Sequence, residues 1–254
     1  MILAPVLQDV AAGLTGADPA LRRDDPVRWA YALRDALALV RPDWVVTHHD
    51  LDLEAGDVLA QAGDVDAVFD ADPSAGPALG AGLELTQTLA ALYPGGIVAA
   101  SVTGPATLAG RLAPSLQGTD GDDGLSELMD ACGDLLSEVA ALHAARGAAR
   151  IVVWEPEPAG TPELIARAHK PLVRRLALLQ TPAALAGAAI GEGYVASEGA
   201  GLALVPAAET GDLGSWRSAA GAAGPGGVVL SDGPLPADCD PVVLRRLGER
   251  DLDD

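Results

Sequence analysis

Short runs of β-branched and aliphatic residues alternate with longer Ala- and Leu-rich stretches, and this alternation limits the fold more than any other feature. The runs are Trp44-Val45-Val46-Thr47, Asp66-Ala67-Val68-Phe69, Ile97 to Val102, Arg150 to Trp154, Gly201 to Val205 and Gly227 to Leu230, with a weaker seventh over Ala183 to Ile190. They are continuously apolar, as parallel strands covered by helices on both faces should be. Between them, Asp25-Pro26, Thr161-Pro162 and Asp240-Pro241 each put a capping side chain before a proline at a first helical position. Ser126 to Arg146 carries Leu128, Met129, Cys132, Leu135, Leu136, Val139 and Leu142 on one stripe, and Gly147 stops it. Asp70–Pro77 and Pro114–Gly124 read as loops, the second as a lid-like one. Residues 1–40 read as a helical N-terminal segment, and 1–254 as one domain without repeats.

Such alternation allows a doubly wound sheet or a closed barrel. The residues after each strand separate the two. The runs end in His48-His49-Asp50, Asp70, Thr103-Gly104, Glu155-Pro156-Glu157 and Ser231-Asp232. Polar groups at nearly every strand end fit a barrel mouth, whereas a doubly wound sheet gathers them at its switch point. The predicted fold is therefore a (β/α)8 TIM-type barrel, trimmed to six or seven strands. Gly191 to Ala196 matches the dinucleotide pattern G-x-G-x-x-A, but no convincing helix follows it and it reads as a turn.

Composition narrows the function. The 254 residues include 16 basic and 36 acidic side chains, a net charge of −20, so clustered cations for a phosphate backbone are lacking and no nucleic-acid partner is expected. The only lysine, Lys170, precedes Pro171, which leaves no Lys-Ser/Thr phosphate loop. Cys132 and Cys239 cannot build a disulfide framework or a four-thiolate zinc site. Leu85 to Gly110 is uncharged, but Pro94, Gly95, Gly96, Gly104 and Pro105 break it as a membrane span. The N-terminus lacks the positive start of a signal peptide. A cytoplasmic protein acting on a small molecule is expected.

Four segments in order resemble the superfamily of uroporphyrinogen decarboxylase, the zinc-dependent methylcobalamin:coenzyme M methyltransferases and cobalamin-independent methionine synthase. They are Asp43 to Leu51 followed by Leu53-Glu54-Ala55-Gly56, Val102-Thr103-Gly104-Pro105-Ala106-Thr107-Leu108-Ala109, Ile151-Val152-Val153-Trp154-Glu155-Pro156, and Val229-Leu230-Ser231-Asp232-Gly233. The resemblance covers Asp43 to Leu247 and implies a barrel enzyme handling a one-carbon group of a small organic substrate. Thr103-Gly104-Pro105 and Glu155-Pro156 favour the methyl-transfer branch, with decarboxylation as the alternative and a non-catalytic binding or assembly barrel as a third. The His-x-Cys zinc ligands of the methyltransferases are missing from Leu185 to Ile190, so no metal site is expected. A zinc would have to rest on His48, Asp50 and Cys239. The resemblance leaves zinc and a corrinoid methyl donor open as cofactors, and a second copy of the chain or a corrinoid protein open as partners. At the place of the arginine-rich turn that grips carboxylates in the decarboxylases stands Leu21-Arg22-Arg23-Asp24, a poor match for a tetracarboxylate porphyrinogen.

The candidate catalytic residues are Asp50, Glu155 and His48. On a strand, His48 and Asp50 would face one side and His49, the packing residue, the other. Asp50 then orients a histidine base, or shares a metal with it; alternatively, this acidic stretch caps the next helix. Glu155, at the end of an apolar strand, is a desolvated proton-transfer acid or a plain helix-start acid. Thr103, Gly104 and Thr107 offer hydroxyl and backbone groups to an anion or form a simple turn. Arg111 binds a substrate carboxylate or faces solvent. Asp232 completes the substrate-binding candidates, with a tight turn as its other reading. His143 reads as a structural histidine, His169 as the end or kink of a helix and Cys132 as core.

Overall fold

The computed structural model describes residues 1–187, 201–250 and 252. Its strands are β1 (Ile2–Val6), β2 (Val45–Val46), β3 (Val98–Thr103), β4 (Arg150–Glu155), β5 (Ala183–Gly187), β6 (Leu202–Val205) and β7 (Val228–Pro234). The helices are α1 (Gln8–Thr15), α2 (Leu21–Asp24), α3 (Pro26–Val40), α4 (Leu53–Leu59), α5 (Val65–Phe69), α6 (Pro77–Leu92), α7 (Pro105–Leu112), α8 (Gly121–Ala145), α9 (Pro162–Ala168), α10 (Lys170–Leu179), α11 (Leu213–Ala223) and α12 (Pro241–Glu249). All strand pairs are parallel, in one sheet ordered β1-β7-β6 and another ordered β2-β3-β4-β5. The four-stranded sheet curls into a half-barrel. Its edge reaches the other sheet where the Leu3 carbonyl accepts the N–H groups of Asp43 (2.8 Å) and Trp44 (3.1 Å). Among the described residues there are seven strands in two sheets, not eight in one closed ring.

Strand parity sorts the core into layers. Ala4, Val6, Trp44, Val46, Ala99, Val152, Trp154, Ala184, Ala186, Val228 and Leu230, from six strands, pack into one cluster on the inner face of the curl. Their sequence neighbours Leu3, Val45, Ala100, Ile151, Val153 and Val229 belong to two outer clusters shared with the helices. Burial on both faces explains the continuously apolar runs. The three expected caps form: Asp25 accepts from Arg28 N–H, Thr161 from Leu164 N–H and Asp240 from Val242 N–H. Cys132 lies in the core and His169 stands between α9 and α10.

Three expectations are corrected. The first 40 residues are not all helical, because Ile2–Val6 is a strand at the edge of the β1-β7-β6 sheet. Pro5 fits this edge strand, where the register shifts between Ala4 and Val6 and the Val6 N–H donates to Ser231 Oγ (2.9 Å) instead of continuing the ladder. Asp66 to Phe69 is helical within α5: Asp64 accepts the Ala67 N–H (2.9 Å), and Val65 and Val68, three apart, share the buried side. Gly121 already opens α8, so the loop beginning at Pro114 is shorter than expected. The Gly191 to Ala196 turn lies outside the described residues.

Candidate active site at the strand ends

The carboxyl ends of the strands carry three separate polar groupings. The first surrounds Asp50. Its Oδ2 accepts from Arg22 Nη2 (2.5 Å) and Arg23 Nη2 (3.0 Å), and its Oδ1 from the Asp52 N–H (3.1 Å). Burial works against ionisation of Asp50, but Arg22, the Asp52 N–H and Arg23 outweigh it and hold the carboxyl below its ordinary range. Burial in turn lowers Arg22, against the pull of Asp50, and its Nε is buried with no partner among the described residues. Gln8, just after β1, ties the grouping together. Its Oε1 accepts the His49 N–H (2.9 Å) and Arg22 Nη1 (3.4 Å), while its Nε2 donates to the His49 carbonyl (3.3 Å).

His49 and His48 take opposite environments. The His49 ring meets Trp154, an inner-cluster residue, edge to face with centroids 4.6 Å apart. Burial lowers its pKa, while the charges of Asp50 and Asp232 pull it upward, so both acids lie within electrostatic reach. His48 is buried with Nδ1 3.0 Å from Thr47 Oγ1, and its imidazole and that of His143 border Gly82 of α6. Burial, then the charges of Arg22 and His143, push it down to about 3. The two-residue β2 ends at Val46, so strand alternation does not extend to these histidines. Asp232, exposed at β7, accepts the Ala207 N–H (2.5 Å) through Oδ1.

The second grouping holds Glu155. Ile151 and Val153 face the helix layer, and Glu155 continues that parity away from the inner cluster. It is fully buried, accepts the N–H groups of Ala106 (3.1 Å) and Thr107 (2.5 Å) at the start of α7, and lies 2.7 Å from His169 Nε2. Gly104, the N-cap, supplies no side chain, and a Cβ there would collide with the Glu155 carboxylate. The Gly-Pro turn is thus the space for a borrowed cap. Asp57 of α4 serves α6 in the same way, accepting from Ala78 (3.2 Å) and Leu79 (2.7 Å) beside Gly76-Pro77.

The third grouping is a cleft of about 590 Å³ lined by Asp52, Gly56, Thr107, Arg111 and Glu157. Arg111 bridges Asp52 (2.5 Å) and Glu157 (3.2 Å) across it. Thr107 Oγ1 accepts the Glu157 N–H (3.4 Å). Thr103 is engaged elsewhere: its hydroxyl (2.7 Å) and N–H (3.2 Å) donate to Glu54, a buried acid whose pKa burial raises against those bonds.

Asp50 and Asp232 therefore share a neighbourhood with His49, and His48 lies buried within electrostatic reach of Asp50 and Arg22, whereas Glu155 and Arg111 each sit apart. Arg22, Arg23, His49 and Glu54, not counted among the site candidates from sequence, also stand at these strand ends. The Trp154/Glu155 parity was the available signal, since it places the Trp inward and the acid outward. The three residues considered for a zinc stand in different surroundings: His48 beside α6, Asp50 under two arginines and Cys239 against an outer cluster. Among the described residues no three His, Cys, Asp or Glu side chains gather as a metal site. Nor, among them, is any helix long and apolar enough to cross a membrane. No protein-family model matches the sequence, and no curated protein matches it.

Proposed function

We propose that the chain is a trimmed (β/α)-barrel enzyme that binds a small organic acid at the carboxyl ends of its strands and acts on its carboxyl group. Barrel closure is supported by sequential strand order, β2 to β5 in one sheet and β6-β7-β1 in the other, around one inner cluster. The observation that carries the function is the convergence of Arg22 and Arg23 on the single carboxylate of Asp50. Two guanidinium groups over one acid leave unused donors, a setting for a substrate carboxylate, with Asp9 the second acid in electrostatic reach of Arg22. Asp50 orients the guanidinium groups, and His49 and Asp232 border the same space.

Decarboxylation takes precedence over methyl transfer in this reading. The residues favouring methyl transfer, Gly104-Pro105 and Glu155, give their space and oxygens to the start of α7. A second reading, binding without catalysis, is favoured by the ion pairs Asp50 already makes. A panel of small carboxylic acids, assayed for labelled CO2 release and for binding by calorimetry, decides between them. Release of CO2 that disappears in Asp50→Asn supports the enzyme. Binding lost in Arg22→Ala, without turnover of any acid, supports the second reading. Binding indifferent to Arg22→Ala removes both.

A further inference from the structure

Trp154 is only 2% exposed, yet its indole Nε1 has no hydrogen-bond partner among the described residues. His49 Nε2 is likewise buried and unpartnered. The rings touch, so the two orphaned groups belong to one place on the inner face. Leaving a buried polar group unpaired is costly, and two on contacting rings mark the seat of a small polar group.

The chemistry of that group follows from the two rings. An indole N–H only donates, so its partner must accept. Burial holds His49 below its ordinary pKa, so at neutral pH the ring is uncharged and offers Nε2 as a lone pair or as one N–H. With Ala4, Val6, Ala184 and Ala186 in the same cluster, an anion here would be poorly compensated. A hydroxyl satisfies both rings, accepting from Trp154 and exchanging a hydrogen bond with His49. The positive charge stands beside it, where Arg22 keeps a buried, unpartnered Nε. Gln8 joins the two halves by holding the His49 backbone and Arg22 with one amide.

We infer that the site takes a small hydroxy-carboxylate, its hydroxyl between His49 and Trp154 and its carboxylate toward Arg22 and Arg23. This rests on the anion site proposed above and names the neutral half of its ligand. The test titrates the ¹⁵N-labelled full chain with lactate, propionate and 1,2-propanediol while the indole N–H resonances are recorded. Lactate is expected to shift the Trp154 resonance and to bind about tenfold more tightly than propionate, the difference one good hydrogen bond makes. Trp154→Phe, which keeps a ring against His49, should abolish that tenfold preference. If this variant does not fold, the wild-type comparison still decides, with Trp154 assigned by its through-space contact to His49. A Trp154 signal shifted by 1,2-propanediol alone also supports the hydroxyl seat. Propionate binding as tightly as lactate, with the Trp154 signal unmoved, overturns the inference and leaves the anion site standing. Lactate and propionate both binding Arg22→Ala as well as wild type overturn the anion site instead. A Trp154 signal indifferent to every probe means a fixed water fills the seat, and the inference falls.

Discussion

Asp50 and Glu155 both follow strands of the curled sheet, and they are put to opposite uses. Asp50 stays at the open end of the sheet, its carboxyl 11% exposed, held by side chains that arrive from α2. Glu155 turns outward into the helix layer, fully buried, and its bonds go to backbone N–H groups of α7 and to His169. An acid held by arginine side chains leaves their remaining donors free to meet a ligand. One fixed by the backbone of a helix cannot leave without undoing the helix start. The same residue class at two strand ends therefore yields one candidate for chemistry and one for architecture.

The comparison breaks most readily at Glu155. Removing one member of a buried, charged hydrogen-bond network costs about 3–5 kcal/mol, so Glu155→Ala should lose that much in urea unfolding while its folded fraction binds carboxylates normally. A loss of binding at unchanged stability would reverse the assignment of the two acids. Gly104→Ala should cost about 2–3 kcal/mol by driving the carboxylate off α7, with Gly76→Ala its counterpart at Asp57.

Arg22→Ala tests the other side. Lost charge-assisted bonds should weaken carboxylate binding by about 10- to 100-fold, measured by calorimetry, with the more exposed Arg23 giving the smaller effect.

His143 sharpens the helix-layer side through pH. Burial pushes its pKa from 6.5 to about 4, so the native state takes up its proton later than the unfolded chain. The neutral ring's contribution is complete above pH 6.5 and is lost as pH falls from there toward 4. Between pH 7 and 5 that loss is about 2 kcal/mol, and His143→Gln should show a pH dependence flatter by this amount. Asp50 acts in the same direction at lower pH. Its lowered pKa gives stability that disappears only as pH falls below about 3.8. The smallest effect belongs to Arg23→Ala at pH 7, which should change stability by about 1 kcal/mol or less, because its side chain is 51% exposed.

Much of the architecture was legible because it rests on local rules. Unbroken apolar runs announced doubly covered strands, and three acid- or hydroxyl-before-proline caps marked α3, α9 and α12. The edge strand β1 went unread, since Pro5 interrupts its short apolar run and its pairing shifts across that residue. The candidate site was less legible. Alternation was carried past the short β2, which exchanged the surroundings of His48 and His49. Arg22 and Arg23 lie 28 and 27 residues before Asp50, and only the tertiary fold joins them. Glu155 was read from its position at a strand end, although Val153 and Trp154 already gave the direction of its side chain.

The glycines at the starts of α6 and α7 bear on how the chain assembles. Neither helix carries its own N-terminal cap, and each depends on an acid from another element, Asp57 of α4 or Glu155 of β4. Excised as peptides, both would fray at their first turns, because short helices without caps are marginal in water. Native ends arise only once separate pieces have docked, so partial structures gain little and the transition is driven toward all-or-none.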